Sequence, residues 1–157
     1  METANELAQA LDSELPPLAC ELMLAAGQLA QPEVTVAQCA ALIARCEPEG
    51  LREQLAPLHA LCARLYVMEG SQAADTSIAR AEQELADGDI GADFPLFHLW
   101  LARALQSLGR PAEAAQKAQQ AAVWLTTRAQ HSVPPEFRDS FLHRHPVHRA
   151  LLALAGQ

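Results

Sequence analysis

The chain has 157 residues, enough for one domain with a continuous core, and half of them are hydrophobic while only 4% are aromatic. Its net charge of −8 is unevenly placed: residues 1–95 carry 4 Lys and Arg against 16 Asp and Glu, and residues 96–157 carry 7 against 3. This balance argues against a nucleic-acid partner, because phosphates attract extended basic surfaces. No stretch approaches the ~20 consecutive apolar residues of a membrane span, and Met1-Glu2-Thr3-Ala4-Asn5-Glu6 lacks the positive region of a secretory signal. The chain is therefore expected to be cytoplasmic, with no membrane partner.

A core of Ala and Leu suits closely approaching helices and cannot fill the space between two sheets. The nearest approach to a strand, Val34-Thr35-Val36, is too short. The expected class is all-α, in about nine segments punctuated by Pro and Gly. The first spans Thr3 to Leu11. Pro16-Pro17 opens the second, which runs to about Ala30, and Gln31-Pro32 breaks it. The third covers Thr35 to Cys46, with a turn at Pro48-Glu49-Gly50. A long fourth, Leu51 to Glu69, contains Pro57. Gly70 ends it, and Ser71 is a candidate N-cap for the fifth, which runs to about Leu85.

Asp87 to Asp93 is the most loop-like stretch and only loosely resembles a calcium loop, since no Glu stands at the closing position. The sixth helix spans Phe94 to Leu108 and the seventh Pro111 to about Arg128, each with Pro in its first turn. Two short helices, Glu136 to Leu142 and Val147 to Ala155, follow Pro134-Pro135 and are divided by Pro146. Cys20, Cys39, Cys46 and Cys62 form no CxxC pair and each sits in an Ala/Leu-rich helical run, the place of a small buried hydrophobe.

Helix pairs recur along this order. Ala102, Gly109, Ala114, Ala118 and Ala121 have counterparts in Ala63, Gly70, Ala74, Ile78 and Ala81, and a fainter copy reads Ala25 or Ala26, Ala37, Ala41 and Ala44. An Ala-rich bundle could mimic one such match, but three at offsets of 37 and 40 residues point to a repeat. Leu101, Ala102, Leu105, Gly109, Ala114, Ala118 and Ala121 together resemble the packing positions of a tetratricopeptide repeat. The likeness is clearest over 96–126, weaker over 57–86 and faintest over 18–46.

The resemblance implies a single α-solenoid-like domain over 1–157. About three helix-pair repeats would fill 18–130, capping helices 134–155, and the whole would hold seven to nine helices. Two departures stand out: the units exceed the standard 34 residues, and His98 and His59 occupy the place of the usual large aromatic in the first helix. Longer units are similar to those of large bacterial signal-transducing ATPases and transcription activators, and the tail from Pro135 to Leu152 resembles the ending common on such proteins. That implies an interaction or sensor module of a bacterial regulator, and the chain's start reads like the middle of a longer array.

Little here suggests chemistry. His143, His145 and His148 are close enough in sequence to suggest a transition-metal site, but Pro146 divides them and Arg144 and Arg149 repel a cation. His59 and Cys62, at i and i+3, have ligand spacing but also fit adjacent core positions. Ser140 lies near His143 with no orienting acid, and no glycine belongs to a phosphate-loop motif. No enzymatic activity and no cofactor are expected. The expectation is a scaffold whose inner face, lined by the first helix of each pair, shows Arg64 and Val67 on one unit and Leu99, Arg103 and Gln106 on the next. Two stacked Arg side chains could hold an acidic protein or peptide. The alternative is self-association through the acidic and basic ends.

Overall fold

The computed structural model describes residues 23–24, 35–86 and 90–156; among these there is no strand. The all-α expectation holds. The chain divides into two compact units, Met1–Gly91 and Ala92–Gln157, and the division falls in the Asp87–Asp93 loop. The helices expected over Thr3–Leu11 and Pro16–Ala30, and Cys20 with them, lie outside the described residues except for Met23 and Leu24, which are helical and buried.

In the first unit, α1 (Val36–Glu49), α2 (Arg52–Met68) and α3 (Ala74–Ala86) pack in sequence, α1 on α2 and α2 on α3. Thr35 opens α1 with a capping box: its hydroxyl accepts from the Gln38 N–H at 3.2 Å, and its own N–H donates to Gln38 Oε1 at 2.9 Å. The helix runs three residues past the expected end at Cys46, carrying Pro48 in its last turn until Gly50 stops it. α3 starts later than expected. Ser71 caps a preceding turn, accepting from the Ala73 N–H at 3.2 Å, and the helix begins at Ala74.

In the second unit, a 3-10 turn (Gly91–Asp93) leads into α4 (Phe94–Ser107), which packs on α5 (Pro111–Ser132); both have Pro in the first turn. A second 3-10 turn, Pro135–Phe137, precedes α6 (Arg138–His143) and α7 (Pro146–Leu154). α7 packs on both α4 and α5, and α6 on α5 and α7.

The turns after α2 and α4 are built alike. The Gly70 N–H donates to the Val67 carbonyl and the Ser71 N–H to Tyr66, just as Gly109 donates to Gln106 and Arg110 to Leu105. This is the Schellman closure, which needs a residue at positive φ, and the two glycines sit at φ 69° and 73°. The small residues of the two clearer copies are buried at both places: Ala63 with Ala102, Ala74 with Ala114, Ile78 with Ala118, and Ala81 with Ala121. The fainter copy is a correction: Ala37, Ala41 and Ala44 are exposed, because α1 buries the face that carries Cys39, Leu42, Ile43 and Cys46.

α4 is buried from Pro95 through Ala102 and again at Ala104 and Leu105, so it is enclosed nearly all round. α5 is one-sided. Ala114, Ala118, Ala121, Ala122, Leu125 and Ala129 form its buried stripe, and the short Ala side chains let the backbones come close. It also runs four residues past the expected end at Arg128. Thr126 and Thr127 turn their hydroxyls onto the Ala122 and Val123 carbonyls, each at 2.8 Å, and stay in the helix. Pro134 then disfavours helical geometry at Val133.

Close packing makes a directional prediction. Ala118→Leu pushes a larger side chain into the α5 stripe and is expected to lower stability by about 1–3 kcal/mol. Ala112→Leu, on an exposed position of the same helix, is expected to change it by less than about 0.5 kcal/mol. Urea denaturation followed by circular dichroism measures both.

Candidate functional site

The face of α5 away from its Ala stripe carries Gln120, Val123, Trp124, Arg128 and His131, at i, i+3, i+4, i+8 and i+11, which places them in one line along the helix. With Phe94, the first residue of α4, they line an open groove of about 480 Å³. Its floor is aromatic. The Phe94 ring stacks on Trp124 at 5.5 Å between centroids and 21° between planes, and the Arg128 guanidinium lies 5.5 Å from the Trp124 ring centre. Val123 beside it is 57% exposed, one of three large hydrophobic side chains so exposed among the described residues.

The C-terminal end of α5 would ordinarily present the negative end of the helix dipole. Here Arg138 reaches back over it, donating from Nε to the Val133 carbonyl at 3.1 Å and from Nη2 to the Gln130 carbonyl at 3.0 Å. That end of the groove is therefore cationic. No carboxylate lines the groove; the nearest acids in sequence are Asp93, which precedes Phe94, and Glu136 beyond α5.

Behind the floor lies His98, only 1% exposed, 4.3 Å from Phe94 and edge-on to Phe97 at 5.1 Å. Neither ring nitrogen has a hydrogen-bond partner among the described residues. Burial, with a smaller contribution from the Lys117 charge, pushes its pKa down to about 4. His59 holds the matching position on α2. It too is buried with Nε2 unpartnered, and burial lowers its pKa against the opposing pull of Glu84 and Glu47.

The residues expected to form an inner binding face fall as follows. Arg64 and Val67 are half-buried on α2 in the first unit, and Arg103 and Gln106 are exposed on α4 in the second. Leu99 is a correction: at 4% exposure it belongs to the core, because α4 is enclosed on all sides until Ala102 and opens only after it. Trp100 is a buried packing residue, whereas Trp124 is half-exposed on the groove.

His143, His145 and His148 do not converge. Among the described residues no three His, Cys, Asp or Glu side chains gather as metal ligands. His145 and His148 instead lie ring against ring at 4.2 Å and 30°, and His148 Nδ1 is held 2.7 Å from the Phe141 carbonyl. Of the calcium-like loop, Asp87, Gly88 and Asp89 lie outside the described residues, and Gly91–Asp93 form the 3-10 turn. Cys39, Cys46 and Cys62 are buried free thiols. Cys39 donates to the Leu58 carbonyl at 3.4 Å, and Cys62, hydrogen-bonded to Cys39, has its pKa lowered by that bond. Ser140 donates to the Phe137 carbonyl at 2.9 Å.

Comparison with protein-family models, with curated proteins and with solved structures found no match for this chain.

The buried imidazole sets a pH dependence. An unfolded His98 takes up its proton near pH 6.5 and the folded one only near 4, so stability falls as pH drops between those values. The loss amounts to about 3 kcal/mol at most for this residue. His98→Phe removes it. The stability of His98→Phe relative to the parent chain is expected to rise steadily as pH falls from 7 to about 4.5, measured by denaturant titration at each pH. A difference that stays constant across this range would show that His98 takes up its proton as readily in the folded chain as in the unfolded one.

Proposed function

We propose that the chain is a non-catalytic helical-repeat scaffold that binds a protein or peptide partner. The observation that carries this reading is the groove on α5: an exposed Val123 beside a stacked Trp124 with Arg128 against it, on the side of the helix that the core does not use. Trp and Arg are the side chains that dominate binding energy at protein interfaces, and two stacked rings lose little freedom on binding. The buried small residues shared by the pairs α2–α3 and α4–α5 support a repeat; the glycine closure of their turns also follows α1, at Gly50 and Leu51. In the setting that a tetratricopeptide-like pattern implies, the chain would be an interaction or sensor module of a bacterial regulatory protein. Arg103 and Gln106, with Arg64 and Val67, form a second candidate surface.

Affinity capture from the source cell with the full chain as bait, read by quantitative mass spectrometry, tests this. Val123→Asp is expected to abolish enrichment of the specific partner with no change in helicity. Arg64→Glu with Arg103→Glu reports separately on the inner face. If the enriched proteins are the same for the parent chain and for both variants, the scaffold reading is wrong.

Charge favours a second reading, self-association. The unit Met1–Gly91 carries a net −11 and the unit Ala92–Gln157 a net +3, so the polarity of the sequence coincides with the structural division. Light scattering after size exclusion at about 20 mM salt is then expected to give a mass above the 16.9 kDa of one chain, falling toward it at about 0.5 M as the charges are screened. A single-chain mass at both salts rules this out.

A further inference from the structure

We infer that the α5 groove takes an acidic amphipathic helix, about three turns long, from a partner protein; this rests on the scaffold reading and names its partner class. The length follows from the site. From Gln120 to Ser132 the lining spans twelve helical steps along one helix, about 18 Å at the helical rise. An open, straight strip of this kind suits a helix laid along it through apolar side chains at i, i+3 or i+4, and i+7. The apolar contacts are Val123 and the Phe94–Trp124 stack.

Charge selects the chemistry. Among the groove's lining residues the only ionisable side chains are Arg128 and His131, and Arg138 adds a third basic group by capping the carbonyls of Gln130 and Val133. Arg128 makes no ion pair among the described residues; its contact is with the Trp124 ring. A guanidinium held flat against an indole keeps donors available for a carboxylate at little entropic cost. A helix carrying Glu toward the Arg128 end and Leu toward Val123 meets both halves of the site. A basic helix would bring like charges together at that end. Single-stranded nucleic acid, which also stacks on aromatics, is disfavoured by the −8 charge of the chain and the small number of cations in the groove. The groove also differs from the inner face of first helices that the repeat resemblance implies, since it lies on the second helix of its pair.

The test uses fluorescence polarisation with the intact chain and two labelled helical peptides of about 16 residues. Both have Leu at i, i+4, i+7 and i+11; one carries Glu on the flanking positions and the other Lys. The Glu peptide is expected to bind at least about tenfold more tightly than the Lys peptide, a difference worth about 1.4 kcal/mol. Its binding is expected to weaken about tenfold or more with Arg128→Glu and with Val123→Lys, and to be unchanged by Arg149→Glu, the same charge reversal at an exposed position of α7 outside the groove. Both groove substitutions are at exposed positions. Equal affinity for the two peptides, no binding of either, or binding indifferent to Arg128→Glu overturns the inference. So does a single-stranded oligothymidine that displaces the Glu peptide. If the peptides fail while partner capture still depends on Val123, the scaffold reading stands and only the acidic-helix assignment falls.

Discussion

How closely α5 can approach its neighbours is the constraint on which the second unit depends. Ala114, Ala118, Ala121, Ala122 and Ala129 offer almost nothing to fill space, so the helices α5 packs against must come near, and Leu125 is the only large side chain in that stripe. Filling is left to α4, which supplies Phe97, Leu99, Trp100, Leu101 and Leu105 and is enclosed nearly all round as a result. One helix is the core and the other is a wall. A wall has an outer side, and on α5 the outer side is where Val123, Trp124 and Arg128 stand.

The same economy explains the turns. Helices this close must be joined within a few residues, and the chain does so with Gly70 and Gly109 in the left-handed region, each donating to a carbonyl of the last helical turn. A side chain at either position would meet no atom within 4 Å, so it is backbone conformation and not crowding that requires glycine there. The first unit is more polar in its details. His59 is flanked by the charges of Glu84, Glu47 and Arg80, and three thiols stand among the buried residues of α1 and α2.

Much of this is legible in the sequence because Pro and Gly mark helix ends by mechanisms that need no tertiary context. Pro95 and Pro111 open helices, Gly70 and Gly109 close them, and the alanines of the two clearer copies are buried where their spacing puts them, whereas Ala37, Ala41 and Ala44 of the fainter copy are exposed. Boundaries slip where no breaker stands at the expected end, as when α5 runs past Arg128 to Ser132 and stops only before Pro134. The groove was not legible. Val123-Trp124 reads as core by composition, and nothing in a hydrophobic pair says whether a further helix will cover it. The useful signal was Trp124 and Arg128 at i and i+4, the spacing that lays a guanidinium on an indole. The His cluster failed for the opposite reason. Closeness in sequence across Pro146 gave a ring-on-ring contact between His145 and His148 and no shared point for an ion.

Phe94 joins the two unusual features of the second unit. Its ring touches the buried His98 at 4.3 Å and the groove's Trp124 at 5.5 Å. The aromatic floor is therefore backed by an imidazole that burial keeps neutral at any pH well above about 4. A neutral backing matters to the site. A charged imidazolium behind Phe94 would add a cation in a medium of low dielectric with no partner on either nitrogen. Phe at position 98 would fill the space without polar atoms. The histidine instead leaves two unmet nitrogens beneath the open face of α5, and among the described residues Phe94 alone lies in ring contact with both His98 and Trp124.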